Sequence, residues 1–256
     1  MTGPTGAADA NHRRSEPGAG GSRPGAPPPA TATRLGTGLA TGLWRTEVAR
    51  ALRLVLVTDR TLCRRHGVVD TVTAAVSGGA TMVQLRDPEA GGRELYELAT
   101  ALLRALDGTG VPLVVNDRPD VALAAGAAGV HVGQSDLPAP VVRALVGPDL
   151  CIGLSVTRPH QATEVERWTP GTVDYLGVGP VRATTTKADA AEPLGLDGLR
   201  AVVSVSPVPC VAIGGITAED AGPIVASGAA GVAVVSAICG AADPAAAARR
   251  FRQVLP

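Results

Sequence analysis

Two aspartates stand just past neighbouring apolar runs. Asp117 closes Leu113-Val114-Val115-Asn116-Asp117, and Asp136 follows Gly129-Val130-His131-Val132-Gly133-Gln134-Ser135. Two carboxylates delivered from adjacent strand ends can hold Mg²⁺, which takes oxygen ligands, keeps several waters and bridges to substrate phosphates. Taken singly, each aspartate reads more naturally as a helix N-cap, Asp117 above all because Arg118-Pro119 follows it. Another run ends in Gln84-Leu85-Arg86-Asp87. A guanidinium there suits bidentate phosphate recognition, the plain alternative being a surface ion pair with Asp87 or Glu89. Gly214-Gly215 and Val235-Ser236 end two later runs, where small residues and exposed backbone N–H groups can cup an anion. Ser155 adds a hydroxyl donor at the end of a further run. Lys187 is the only lysine, the other 22 of the 23 basic side chains being arginine. It follows Thr184-Thr185-Thr186 in the longest connection of the chain, a candidate lid. His131, inside an apolar run, reads as a satisfied core histidine.

These residues need elements that bring them together. From Ala51 onward, short β-branched runs begin near Leu54, Met82, Leu113, Gly129, Cys151, Tyr175, Val211 and Gly231, which makes eight strand candidates. Amphipathic segments such as Arg93 to Leu106 and Pro138 to Val146 lie between them, and Thr217-Ala-Glu-Asp220 has the form of a capping box. Runs apolar on both faces, each followed by a helix, are what parallel strands require. A weak internal repeat supports this: Gly78-Gly79-Ala80, Ala125-Gly126-Ala127 and Ser227-Gly228-Ala229 each precede a strand candidate. Eight such units in about 200 residues predict a single α/β domain, a (β/α)8 TIM barrel over residues 49–256, with a doubly wound sheet as the other compatible arrangement. Barrel active sites form at the C-terminal ends of the strands, where the polar residues named above fall.

Composition narrows the function. The chain has 256 residues, 23 basic and 23 acidic side chains, and 2% aromatics. A zero net charge and scarce stacking groups argue against a nucleic-acid partner. No apolar stretch is long enough to span a membrane, and the N-terminus lacks the apolar core of a signal peptide, so the chain reads as cytoplasmic. Cys63, Cys151, Cys210 and Cys239 have no metal-site or disulfide spacing and read as buried thiols. Residues 1–48, built largely from Gly, Pro, Ala, Thr, Ser and Arg, read as a disordered tail.

The ordered series QLR, VND, HVGQxD, GLS, YLGVGP followed by TxTK, AIGGI and VSAI resembles thiamine-phosphate synthase (thiamine-phosphate pyrophosphorylase), over about residues 52–255. The resemblance implies a (β/α)8 barrel. It implies an enzyme, a transferase of a pyrimidinylmethyl group, that joins 4-amino-2-methyl-5-(diphosphooxymethyl)pyrimidine to 4-methyl-5-(2-phosphoethyl)thiazole. Diphosphate leaves, and thiamine phosphate forms with Mg²⁺ as cofactor. By motif, Asp117 and Asp136 would hold the metal. Gln84, Leu85, Arg86, Asp87, Pro88, Asn116, Ser155 and Lys187 would form the pyrimidine diphosphate site, with Arg86, Lys187 and Ser155 as the catalytic groups. Thr184, Thr185, Thr186, Gly215, Val235 and Ser236 would hold the thiazole phosphate. The partners are then small molecules, and a homo-oligomer is left open.

The chain departs from the family pattern at three places. Pro88 stands where the family carries a diphosphate-binding lysine, leaving Arg93 or Arg118 as substitutes; Thr157 replaces a frequent histidine; and Arg182 replaces a frequent aromatic. Two other functions fit less well. An aminothiazole tautomerase-like barrel needs no diphosphate site, and a non-catalytic thiamine-phosphate-binding regulator rests only on the missing lysine.

Overall fold

The computed structural model describes residues 1–3, 43–186 and 191–255. Residues 4–42 of the expected tail, and Lys187 with the three residues after it, lie outside the described residues. The chain opens with α1 (Leu43–Ala51), β1 (Leu54–Val57), α2 (Val68–Ser77), β2 (Met82–Leu85), α3 (Gly92–Leu106), β3 (Leu113–Asn116) and α4 (Pro119–Ala125). It continues through β4 (Gly129–Val132), α5 (Ala139–Val146), β5 (Cys151–Val156), α6 (Pro159–Glu164), β6 (Tyr175–Val178) and α7 (Gly195–Ser204). It ends with β7 (Cys210–Ile213), α8 (Ala218–Ala226), β8 (Gly231–Val234), α9 (Ser236–Cys239) and α10 (Pro244–Val254). The eight strands pair in parallel and in sequence order, and β8 returns to β1 to close the barrel.

Alternation along each strand sorts the side chains into two cores. Leu54, Leu56, Val83, Leu85, Val115 and Ile152 face the ring of helices and join the larger core. Val55, Val57, Met82, Val114, Cys151 and Tyr175 face the barrel axis in the smaller one. Both faces are dry, which is why these runs read as continuous apolar stretches. The small-residue breaks do what the repeat implied: Gly79, Gly126 and Gly228 take φ of 107°, 75° and 94°, a region that costs a side chain dearly. At α8 the predicted box forms, with Asp220 Oδ2 accepting from the Thr217 N–H at 3.0 Å and its hydroxyl at 3.1 Å.

Helix α1 starts at Leu43, within the segment expected to be tail. Val48, Ala51 and Leu52 pack into the axial core with Val55 and Met82, so this helix plugs the end where the strands begin. The opposite end, where the strands finish, is open.

Candidate active site

The open end holds a cavity of about 700 Å³, within the range of small-molecule sites. Its lining includes Gln84, Arg86, Asn116, Asp117, Asp136 and Ser155 from β2 to β5 and their loops. Thr184, Thr186, Gly215, Val235 and Ser236 line it from the far side. The sequence-predicted groups that fall outside it do so for identifiable reasons. Leu85 faces outward and is fully buried among the helices. Asp87 is drawn away by Arg60, whose Nε donates to Asp87 Oδ2 at 2.6 Å while its Nη1 reaches Glu94 Oε1 at 2.6 Å. Pro88 and Thr185 are exposed and away from the cavity. Lys187 lies outside the described residues.

The acidic side is built from a line of amides. Gln84 Nε2 donates to Asn116 Oδ1 at 2.7 Å, and Asn116 Nδ2 donates to Asp117 Oδ2 at 2.6 Å. Asp117 takes φ of 60°, a left-handed conformation that aspartate tolerates better than most residues, and its N–H donates to the His131 carbonyl at 2.8 Å. The helix-cap reading of Asp117 therefore yields. Helix α4 has Arg118 at its N-cap position, with no side-chain cap bond. Asp136 Oδ2 accepts from the Gly133 N–H at 2.7 Å. Both carboxylates border one cavity, and no cluster of three or more His, Cys, Asp and Glu exists among the described residues. Two hard oxygen donors beside room for water and phosphate suit Mg²⁺, and do not make the closed cage of a structural zinc site.

Arg86 stands beside them at the end of β2. Thr58, 1% exposed, pins the backbone there, its hydroxyl donating to the Arg86 carbonyl at 3.1 Å and accepting from the Arg86 N–H at 2.9 Å. With Asp87 held by Arg60, Arg86 has no ion-pair partner among the described residues. A guanidinium facing a cavity in that condition is chemically suited to bind an anion. The two proposed substitutes for the lost lysine do not reach the cavity lining; Arg118 is forked onto Asp120 at 2.8 and 2.6 Å.

Across the cavity, Gly214 and Gly215 take φ of 102° and 61°. A Cβ on Gly215 would overlap the Ala183 carbonyl oxygen, and one on Gly214 would meet Pro180. These glycines let the loop after β6 lie directly on the end of β7, where the Arg182 N–H donates to the Gly214 carbonyl at 3.0 Å. The Arg182 side chain turns outward to Asp220 at 2.9 Å. Thr157 lines the cavity and is held by Gln161 Oε1, which accepts its N–H at 2.7 Å.

Against this geometry, the thiamine monophosphate synthase family model matches residues 54–238. The chain belongs to the thiamine monophosphate synthase family. A thiamine-phosphate synthase from Azorhizobium caulinodans is 50% identical over 204 residues, 80% of this chain and 95% of that one. Another, from Syntrophomonas wolfei, is 49% identical over 201 residues, 78% and 95% of the two chains. The structure of thiamine phosphate pyrophosphorylase from Pyrococcus furiosus superposes with a TM-score of 0.73 at 38% identity, covering 81% of this chain and 96% of that one. A 3-hexulose-6-phosphate synthase, at 20% identity and a TM-score of 0.61, shares the fold.

This family member also has a floor that sequence reasoning missed. His131 is buried as expected, yet it borders the cavity. Its Nδ1 lies 3.0 Å from Tyr175 Oη and its Nε2 lies 2.9 Å from Ser155 Oγ. Burial pushes its pKa down to about 4, against a smaller opposing pull from Asp136, so the ring is neutral near pH 7. Burial likewise holds the Tyr175 phenol well above its ordinary value. Strand parity was the signal available: His131, Ser155 and Tyr175 all fall on inward-facing positions.

Proposed function

We propose that the chain joins 4-amino-2-methyl-5-(diphosphooxymethyl)pyrimidine to 4-methyl-5-(2-phosphoethyl)thiazole, releasing diphosphate and forming thiamine phosphate. The observation that carries this reading is the single cavity with two unlike sides: Asp117, Asp136 and Arg86 on one, the Gly214-Gly215 turn with Val235 and Ser236 on the other. Family membership supports it. Asp117 and Asp136 would hold Mg²⁺, which when bound neutralises charge on the diphosphate.

The chain's own groups then have distinct tasks. Gln84 and Asn116 fix the Asp117 carboxylate through two successive hydrogen bonds, so it need not reorganise as charge develops. Breaking the bond between methylene and diphosphate oxygen leaves negative charge on the leaving group, and Arg86, with no ion pair among the described residues, is placed to face that charge. Lys187 is proposed to add a second cation from the loop after β6. Positive charge left on the pyrimidinylmethyl group is spread over the electron-rich aminopyrimidine, which favours a dissociative route. The thiazole nitrogen then attacks the methylene carbon. Thr184, Thr186, Gly215, Val235 and Ser236 hold the thiazole phosphate so that the two rings meet. No protein nucleophile takes part. The chain works on small molecules in the cytoplasm in this reading; among the described residues no helix is long and apolar enough to cross a membrane.

The test mixes the purified chain with both substrates and Mg²⁺ and follows thiamine phosphate and diphosphate together. Asp117→Asn and Asp136→Asn are expected to lower turnover by about 10²- to 10³-fold with unchanged thermal midpoints. Undiminished product formation after exhaustive chelation would sink the metal-assisted mechanism. Binding of thiamine phosphate with no turnover would replace the synthase with a regulator.

A further inference from the structure

Strands β4, β5 and β6 place His131, Gly153 and Tyr175 side by side, in register. A Cβ on Gly153 would overlap both Tyr175 Cζ and His131 Nδ1. The missing side chain is what lets the two rings close over β5 and bond to each other. The result is a line of three polar groups: Tyr175 Oη, His131 between them, and Ser155 Oγ one layer higher at the cavity.

Counting protons along this line settles its direction. A phenol carries one proton, a neutral imidazole one and an imidazolium two. Tyr175 is 1% exposed, and its oxygen meets only His131 among the described residues. Were His131 protonated at Nδ1, that N–H would donate to Tyr175 and the phenolic proton would have no acceptor among the described residues. An unmet buried donor is costly enough to decide between tautomers. Tyr175 therefore donates to Nδ1, the ring proton sits on Nε2, and Nε2–H donates to Ser155 Oγ. The same count excludes the imidazolium.

We infer that Tyr175 and His131 are positioning residues that fill one acceptor site of Ser155 Oγ and leave its hydroxyl proton to be donated into the cavity, toward an acceptor atom of the substrate. This rests on the reading of the cavity as the pyrimidine diphosphate site. The acceptor is then a ring nitrogen or a diphosphate oxygen.

Two measurements test it. In the ligand-free chain labelled with ¹⁵N-histidine, with His131→Gln used to assign the signals, His131 is expected as the neutral Nε2–H tautomer. An Nδ1–H tautomer or a doubly protonated ring overturns the inference. In steady-state kinetics, Tyr175→Phe is expected to lower kcat/KM for the pyrimidine diphosphate about three- to tenfold and to leave the KM of the thiazole phosphate unchanged. Its effect should vanish in a Ser155→Ala background, because both changes break one line of bonds; independent, multiplying effects overturn the proposal.

Binding of two probes to Ser155→Ala locates the acceptor. Weakened inorganic diphosphate with Mg²⁺ points to an oxygen, weakened 4-amino-5-hydroxymethyl-2-methylpyrimidine points to the ring, and no change in either refutes donation to substrate. Should the wild-type chain make no thiamine phosphate, the proposed function fails, while the tautomer and the two probes still decide this inference.

Discussion

Arg86 and Asp87 are neighbours in sequence with opposite fates. The carboxylate turns to Arg60, 27 residues earlier, and the guanidinium is left to the cavity. That division separates a surface ion pair from the anion site proposed for Arg86, and local sequence could not make it because the deciding partner, Arg60, is distant. Arg86→Gln keeps much of the side chain's length and removes the charge, so it tests the leaving-group role directly. The expected outcome is a fall in kcat/KM for the pyrimidine diphosphate of about 10²- to 10³-fold, most of it in kcat, because the interaction grows as the bond breaks. A change confined to KM would show that Arg86 only captures substrate. That Asp117 and Asp136 border one cavity was legible at this scale, since Asp117 directly follows β3 and Asp136 lies in the loop after the neighbouring β4. The Gln84 bond that holds Asn116, which in turn donates to Asp117, was not, because it crosses from β2 to β3.

At the level of elements, most of the barrel could be read from the chain because strands dry on both faces leave unbroken apolar runs. Among the strand starts the difference is β7, which begins at Cys210, one residue before the expected Val211. The floor of the site escaped for a complementary reason. His131 and Tyr175 look like ordinary core residues until β4 and β6 are set on either side of β5. Gly153 is the hinge of that arrangement: its absent Cβ is the space in which the imidazole and phenol meet. Gly153→Ala should force the two rings apart or push β5 outward, costing about 1–3 kcal/mol. Urea unfolding measures the cost, and the activity of the folded fraction should fall as well, because Ser155 loses its fixed donor. An alanine variant with wild-type stability and rate would show that the layer is looser than the packing implies.

The whole molecule is a barrel stopped at one end and open at the other. The stopper is α1 and the residue after it, with Val48 and Leu52 fully buried against Val55, Met82 and Val114. This element was hidden in the sequence because it adjoins a Pro/Gly/Ala-rich segment whose composition dominates any window drawn across the boundary. Its position separates stability from chemistry. Leu52 lies at the opposite end from Asp117 and Arg86, so truncating it empties the plug without touching the cavity lining. Leu52→Ala should destabilise the chain by about 2–5 kcal/mol, lowering the thermal midpoint by about 2–4 °C per kcal/mol for a domain of this size. The specific activity of the folded fraction, measured well below the new midpoint, should match the wild type. If the midpoint barely moves, α1 is not part of the barrel's core; if activity falls in step with stability, the two ends of the barrel are coupled and the plug supports the site as well as the fold.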